Sequence, residues 1–288
     1  FLQDLRSLLN EYDAITTVGE VGDSQRGSEI QATYTGGGDK LHMAYGFALL
    51  CQAHPTGTRV AEIMQTAESF GSDSWGCWAY SNHDVERHSS RRNLSDAAQR
   101  TYAALLMSLR GSVCIYQGEE LGLSEADVAF EDLQDPYGIE FWPEFKGRDG
   151  CRTPMVWEKS NSTGGFSTEK PWLPVATDHL AQAVAVQNED PDAILHHYRR
   201  AIALRTSNPT LCKGEMTQIQ VAGNVLNFLR TQGSDTIFCA FNLGDTASQI
   251  SLPDGNWAQI GSDLGSAQTM AGNVVTLEPW QPCLARRV

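Results

Sequence analysis

Apolar residues recur at helical spacing over residues 2–12 (Leu5, Leu8 and Leu9), which predicts an amphipathic helix, and residues 15–18 follow as a short apolar strand ending in Gly19-Glu20. The alternation then repeats. Residues 41–50 read as a second strand and 59–70 as a helix, while 75–80 read as a third strand running into Ser81-Asn82-His83-Asp84. Strong helical periodicity covers 95–110, with Ser95 placed to cap its start and Gly111 to stop it. A fourth strand is predicted at 112–116, ending in Gln117-Gly118-Glu119-Glu120.

Four strand-helix alternations with polar strand ends predict βα architecture. Residues 124–188 are rich in Gly, Pro, Asp and aromatics with weak periodicity, as expected of a long ordered loop. A helix over 192–207 breaks before Asn208-Pro209. Beyond it the period changes to short strands at 218–221, 225–230, 236–242, 248–252 and 273–277, separated by Gly, Asp and Asn turns. Two domains are therefore expected: an α/β unit over 1–207 and a small antiparallel β-sandwich over 208–288. A complete TIM barrel needs eight βα units and about 250 residues. Four units fit either a four-unit α/β domain or half of a barrel, and composition does not decide between them.

The chain is long enough to bury a full core, with 288 residues of which 41% are hydrophobic. Its net charge of −14 repels phosphate backbones and anionic headgroups, so neither nucleic acid nor a membrane surface is an expected partner, and a neutral substrate suits it better. No apolar run approaches the roughly 20 residues of a membrane span. Seven scattered cysteines without a C-x-x-C pair are expected to be reduced structural thiols, which suggests a cytoplasmic setting. No set of His, Asp and Glu has metal-ligand spacing, so neither a catalytic metal nor a cofactor is expected. Phe1 opens directly into a helical pattern, from which a natural start further upstream is expected.

At Asn82-His83-Asp84, followed by Arg87 and Arg91, the chain resembles the fourth signature region of the α-amylase superfamily, and Val18-Gly19-Glu20-Val21 resembles its third region. Residues 116–122 (YQGEELG) and 147–155 (GRDGCRTPM) look like stretches typical of its α-glucosidase and oligo-1,6-glucosidase branch. The resemblance implies the second half of a TIM (β/α)8 barrel, strands 5 to 8, followed by a small all-β C-terminal domain. By the family's pattern, Glu20 is the general acid/base, Asp84 stabilises the oxocarbenium-like transition state, and His83 hydrogen-bonds the sugar. Arg148 and Arg152 resemble positions near the non-reducing-end glucose. The implied substrate is a small α-glucoside, cleaved with retention.

Retention also needs a carboxylate nucleophile, and in this family that is an Asp in a Gly-Phe-Arg-x-Asp-like motif on the fourth barrel strand. No such motif occurs here. The chain is accordingly expected to be a fragment, inactive alone and partnered by the missing N-terminal half of the barrel. A catalytically silent relative and a transglycosylase or sucrose isomerase are the rival readings.

Blander roles compete for several residues. Glu119 and Glu120 are read as support for their loop or a nearby arginine, and Asp23 and Glu29 as solvated loop charges. Phe141, Trp142, Phe145 and Phe166 suit sugar stacking as well as packing within the loop.

Overall fold

The computed structural model describes residues 1–23, 25–52, 55–265 and 269–288, with backbone alone at 269–271. They form two compact units, one of residues 1–79, 100–114 and 200–288 and the other of 80–99 and 115–199.

The first unit contains a parallel sheet of four short strands, β1 (Val18–Val21), β2 (Met43–Gly46), β3 (Gly76–Trp78) and β4 (Ser112–Val113), hydrogen-bonded in that order. Glu20 lies opposite Tyr45, Tyr45 opposite Cys77, and Trp78 opposite Val113. Parallel neighbours need helical crossovers. These are Gly27–Thr35 after β1, Gly57–Glu68 after β2 and Asp96–Ser108 before β4.

All four expected strands of this sheet are corrected in their bounds, the third to Gly76–Trp78 and the fourth to Ser112–Val113. The first is displaced to Val18–Val21, and the second keeps only Met43–Gly46 because Phe47–Leu50 turns into a helix that buries Leu49 and Leu50. The helix Gly27–Thr35 replaces the loop expected around Glu29. Hydrophobic periodicity does not show it, since the side that it buries consists of Gly27, Gln31 and Thr35. Gln31 Nε2 donates to the Ala44 carbonyl on β2 at 2.8 Å, and Thr35 Oγ1 accepts the Trp75 N–H at 3.0 Å. The helix is thus docked by polar bonds to the sheet.

After Asn208 the described residues form eight further strands: β5 (Glu215–Ala222), β6 (Val225–Gln232), β7 (Asp235–Asn242), β8 (Ser248–Ser251), β9 (Trp257–Ile260), β10 (Thr269–Ala271), β11 (Val274–Leu277) and β12 (Pro282–Arg287). They make two antiparallel sheets, β5-β6-β7-β12-β9 and β10-β11-β8, closed over a shared core that includes Val225, Phe238, Ile250, Val275, Leu277 and Cys283. Burial pushes the thiols of Cys77, Cys239 and Cys283 up to about 12.

Buried arginines finish the helix Asp96–Ser108. The last carbonyls of a helix have no partner within it. Arg205 Nη1 donates to the carbonyls of Met107 (2.7 Å) and Leu109 (2.8 Å), and its Nη2 to Gly111 (2.5 Å). Arg230 serves Ser108 and Gly214, and the Trp78 indole serves Arg110 at 2.6 Å. Gly111 must be glycine: φ is +122°, and a Cβ would stand 2.5 Å from the Gly76 carbonyl oxygen.

The second unit is mostly the long excursion after β4. It holds short helices at Pro136–Glu140 and Val184–Asn188 and packs around Leu121, Leu123, Val156, Ala183 and Leu195, with a smaller cluster of Val128, Leu133, Leu173 and Trp142. Among the described residues no helix is long and apolar enough to cross a membrane.

Candidate active site

Asp84 sits in a turn that Asn82 shapes, because the Asn82 side-chain oxygen accepts the Asp84 N–H at 2.9 Å. The turn leads into the helix His88–Arg91, whose first N–H donates to Ser81 Oγ at 2.9 Å. One oxygen of Asp84 is held twice: Oδ1 accepts Arg148 Nη1 at 3.0 Å and Arg152 Nη2 at 2.9 Å. Arg152 Nε also donates to the His83 carbonyl at 2.7 Å, fixing the turn from the other side. Oδ2 lies 3.6 Å from His83 Nε2, and the Asp84 side chain stays 32% exposed.

Arg148 is itself anchored. Asp135 takes its Nε at 2.8 Å and Nη2 at 2.9 Å in a two-pronged pair, and takes its backbone N–H at 2.8 Å. Those bonds, with one from the Tyr137 N–H, hold the Asp135 carboxyl well below the usual carboxylate range and raise the Arg148 guanidinium. Gly147 permits the approach: φ is +76°, and a Cβ there would fall 2.9 Å from Asp135 Oδ2 and 2.8 Å from Gly138 Cα.

A cavity of about 290 Å³ opens beside the pair, lined by residues that include Asp84, Glu86, Glu125, Val128, Phe145 and Arg148. Its volume suits a small ligand. Burial pushes the Glu125 carboxyl up to about 7, against the backbone hydrogen bond from Arg87 and that residue's charge. Glu125 Oε2 accepts the Arg87 N–H at 2.8 Å, and its other oxygen packs on the bare Cα of Gly150.

Four of the five candidate residues, His83, Asp84, Arg148 and Arg152, are therefore in contact with one another. The fifth, Glu20, belongs to the first unit, where it is exposed on β1 one residue before the strand ends. Glu119 is 4% exposed and accepts the Tyr198 hydroxyl at 3.0 Å, while burial pushes its carboxyl up to about 7. Glu119 and Glu120 are not among the residues that line the Asp84 cavity. Of the loop aromatics, Phe145 lines that cavity and Trp142 packs against Phe130, with ring centroids 5.6 Å apart. Neither Asp135 nor Glu125 was anticipated. The sequence offers one faint signal for Asp135, its place before Pro136 as the cap of a short helix, where its Oδ1 accepts the Tyr137 N–H at 3.2 Å. Among the described residues no group of three or more His, Cys, Asp or Glu side chains is arranged to hold a metal ion.

A carboxylate, an imidazole and two guanidinium groups thus meet on loops that follow parallel strands in the chain, the positions at which barrel enzymes carry their active sites. The α-amylase catalytic domain matches residues 1–214. The chain is 54% identical over 257 residues to a probable α-glucosidase of Rhizobium meliloti (strain 1021), covering 88% of this chain and 46% of that protein. It is 27% identical over 297 residues to an oligo-1,6-glucosidase of Heyndrickxia coagulans, covering 89% of this chain and 53% of that protein. Among solved structures, the α-glucosyl transfer enzyme XgtA superimposes with a TM-score of 0.92 at 42% identity, covering 100% of this chain and 54% of XgtA. The chain belongs to the α-amylase family, glycoside hydrolase family 13. Its four parallel strands are the second half of that family's TIM barrel, followed by the all-β C-terminal part. It spans about half the length of the curated relatives that it matches.

Proposed function

We propose that these residues form the acid/base-bearing half of a retaining α-glucosidase that releases glucose from the non-reducing end of short α-glucosides. The observation that carries the reading is the Asp84 carboxylate, fixed through one oxygen by Arg148 and Arg152 with its other oxygen facing His83 and partly exposed. In the reading, Asp84 stabilises positive charge developing on the sugar ring, His83 hydrogen-bonds a ring hydroxyl, and the two arginines set the Asp84 geometry. Glu20 gives its proton to the departing glycosidic oxygen while a carboxylate nucleophile attacks the anomeric carbon. It then takes a proton from the water that releases the sugar. The nucleophile is assigned to polypeptide other than these 288 residues. Functionally, 1–207 is taken as the catalytic half-barrel and 208–288 as an accessory β-sandwich.

Glucosyl transfer is the second reading, supported by the likeness to XgtA at 42% identity. It uses the same groups and differs in whether water or a sugar hydroxyl meets the glycosyl-enzyme.

The test is hydrolysis of p-nitrophenyl α-glucoside by the native material, with intact mass measured on the same sample. Activity that accompanies a second polypeptide or a longer chain and disappears in Glu20→Gln is the expected result. Undiminished turnover in Glu20→Gln would overturn the assignment. Glucoside products in the presence of excess acceptor distinguish transfer from hydrolysis.

A further inference from the structure

Asp135 has no exposed side-chain surface, yet it is not a simple core ion pair. Its two oxygens take the Nε and Nη2 edge of Arg148, the Arg148 N–H and the Tyr137 N–H. Asp149 reciprocates, since its Oδ2 accepts the N–H groups of Gln134 at 2.6 Å and Asp135 at 2.8 Å. Residues 134–135 and 148–149 thus brace each other crosswise. The brace takes the Nε–Nη2 edge of Arg148, and the guanidinium meets Asp84 Oδ1 through Nη1 beside Arg152.

We propose that Asp135 is a positioning residue for the Asp84 site: by holding the Nε–Nη2 edge of Arg148, it fixes the orientation in which that guanidinium bonds Asp84 Oδ1 through Nη1 and keeps Oδ2 available to the sugar. A guanidinium fork is matched to a carboxylate and takes one in two-pronged fashion when it is free to do so. With Asp135 neutral, the carboxylate that Arg148 already touches is Asp84. Arg148 then rotates its fork onto both Asp84 oxygens and neutralises the one that faces His83. The proposal rests on the reading of Asp84 as the carboxylate that stabilises the transition state. It assigns to Asp135 an effect on turnover more than on substrate affinity.

Two measurements test it on the enzyme with its barrel complete. The first is the nitrogen-15 spectrum of the arginine Nε–H groups, which reads the Asp135–Arg148 fork whether or not the protein turns over. Asp135→Asn should shift the Nε–H signal of Arg148, whose acceptor changes from Asp135 to Asp84, and a signal unchanged from wild type overturns the proposal. The second is the split between kcat and KM on p-nitrophenyl α-glucoside. A displacement of about 1 Å in a positioned group lowers turnover by about 100-fold. Asp135→Asn is expected to lose kcat on that scale with KM changed less than about threefold, and Asp135→Glu to recover about tenfold. A kcat within about threefold of wild type overturns the proposal. Should Asp135→Asn fail to fold, the double variant with Arg148→Gln removes the stranded charge. Equal kcat in the double variant and in Arg148→Gln alone supports action through Arg148, and a further tenfold fall overturns it. Wild-type rates in Asp84→Asn instead overturn the reading of the site, and the proposal with it, while the Nε–H signal still reports whether Asp135 holds Arg148.

Discussion

Glu119 and Glu125 share a property with opposite placements: burial pushes both carboxyls up to about 7, but Glu125 lines the Asp84 cavity while Glu119 is bonded to Tyr198. A carboxyl raised from 4.5 to about 7 binds its proton in the folded state at pH values where the unfolded chain has lost it. Its stabilising contribution is complete below about pH 4.5, shrinks as pH rises to 7, and is absent above. Each shift corresponds to on the order of 3 kcal/mol. Melting temperature is therefore expected to fall between pH 5 and 7, apart from the opposing contribution of the buried histidines His88 and His179, whose range is lowered by burial. Glu119→Gln and Glu125→Gln should each flatten that fall in a calorimetric pH series, and identical slopes in wild type and both variants would refute the assignment. The contrast with Asp84, Arg148 and Arg152 shows what sequence makes legible at this scale. Those three stand in short motifs, NHD and GRDGCR, which the resemblance to the family singles out. Asp135 and Glu125 act through burial and through partners 13 and 38 positions away, and no local pattern encodes either.

Among elements, the carbonyls at and just beyond the end of the helix Asp96–Ser108 depend on side chains far along the chain, Arg205 above all. A buried carbonyl left without a donor costs about 1–3 kcal/mol. Arg205→Leu strands as many as three while relieving the burial of one charge, so a loss of about 3 kcal/mol is expected from the shift of the urea midpoint. Arg59→Ala supplies the control, because its pair with Glu62 at 3.0 Å is exposed on both sides and should be worth less than about 1 kcal/mol. Comparable losses in the two variants would refute the capping role. The helix itself was legible, since its apolar spacing is regular and its bounds moved by only a residue or two at each end. The helix Gly27–Thr35 was not, because it buries Gln31 and Thr35 rather than an apolar stripe. Strands β9 and β12 were missed for related reasons. β9 is short and mixed, and β12 begins in Pro282 and ends in two arginines, although it lies between β7 and β9 and buries Cys283, Leu284 and Ala285.

At the scale of the whole molecule, four strand-helix alternations made βα architecture legible, while the half-barrel followed only from the resemblance of the strand-end motifs to the family. Glu20 and Asp84 lie in different compact units, so a test of their joint chemistry must separate one role from the other by reaction rather than by distance. The leaving group provides that separation. A sugar alkoxide needs a proton to depart, whereas fluoride leaves without one, so general-acid assistance matters for maltose and little for α-glucosyl fluoride. In the complete enzyme, Glu20→Gln is expected to lower kcat/KM for maltose by about 10²–10⁴-fold and to leave formation of the glycosyl-enzyme from the fluoride within about tenfold of wild type. Azide, which needs no general base, should then accelerate release of the trapped sugar. Asp84→Asn removes charge stabilisation common to every substrate, and it should slow maltose and fluoride alike, with no rescue by azide. Equal losses on both substrates in Glu20→Gln would remove Glu20 from the acid/base role. A selective loss on maltose in Asp84→Asn would make Asp84 the proton donor and reverse the two assignments.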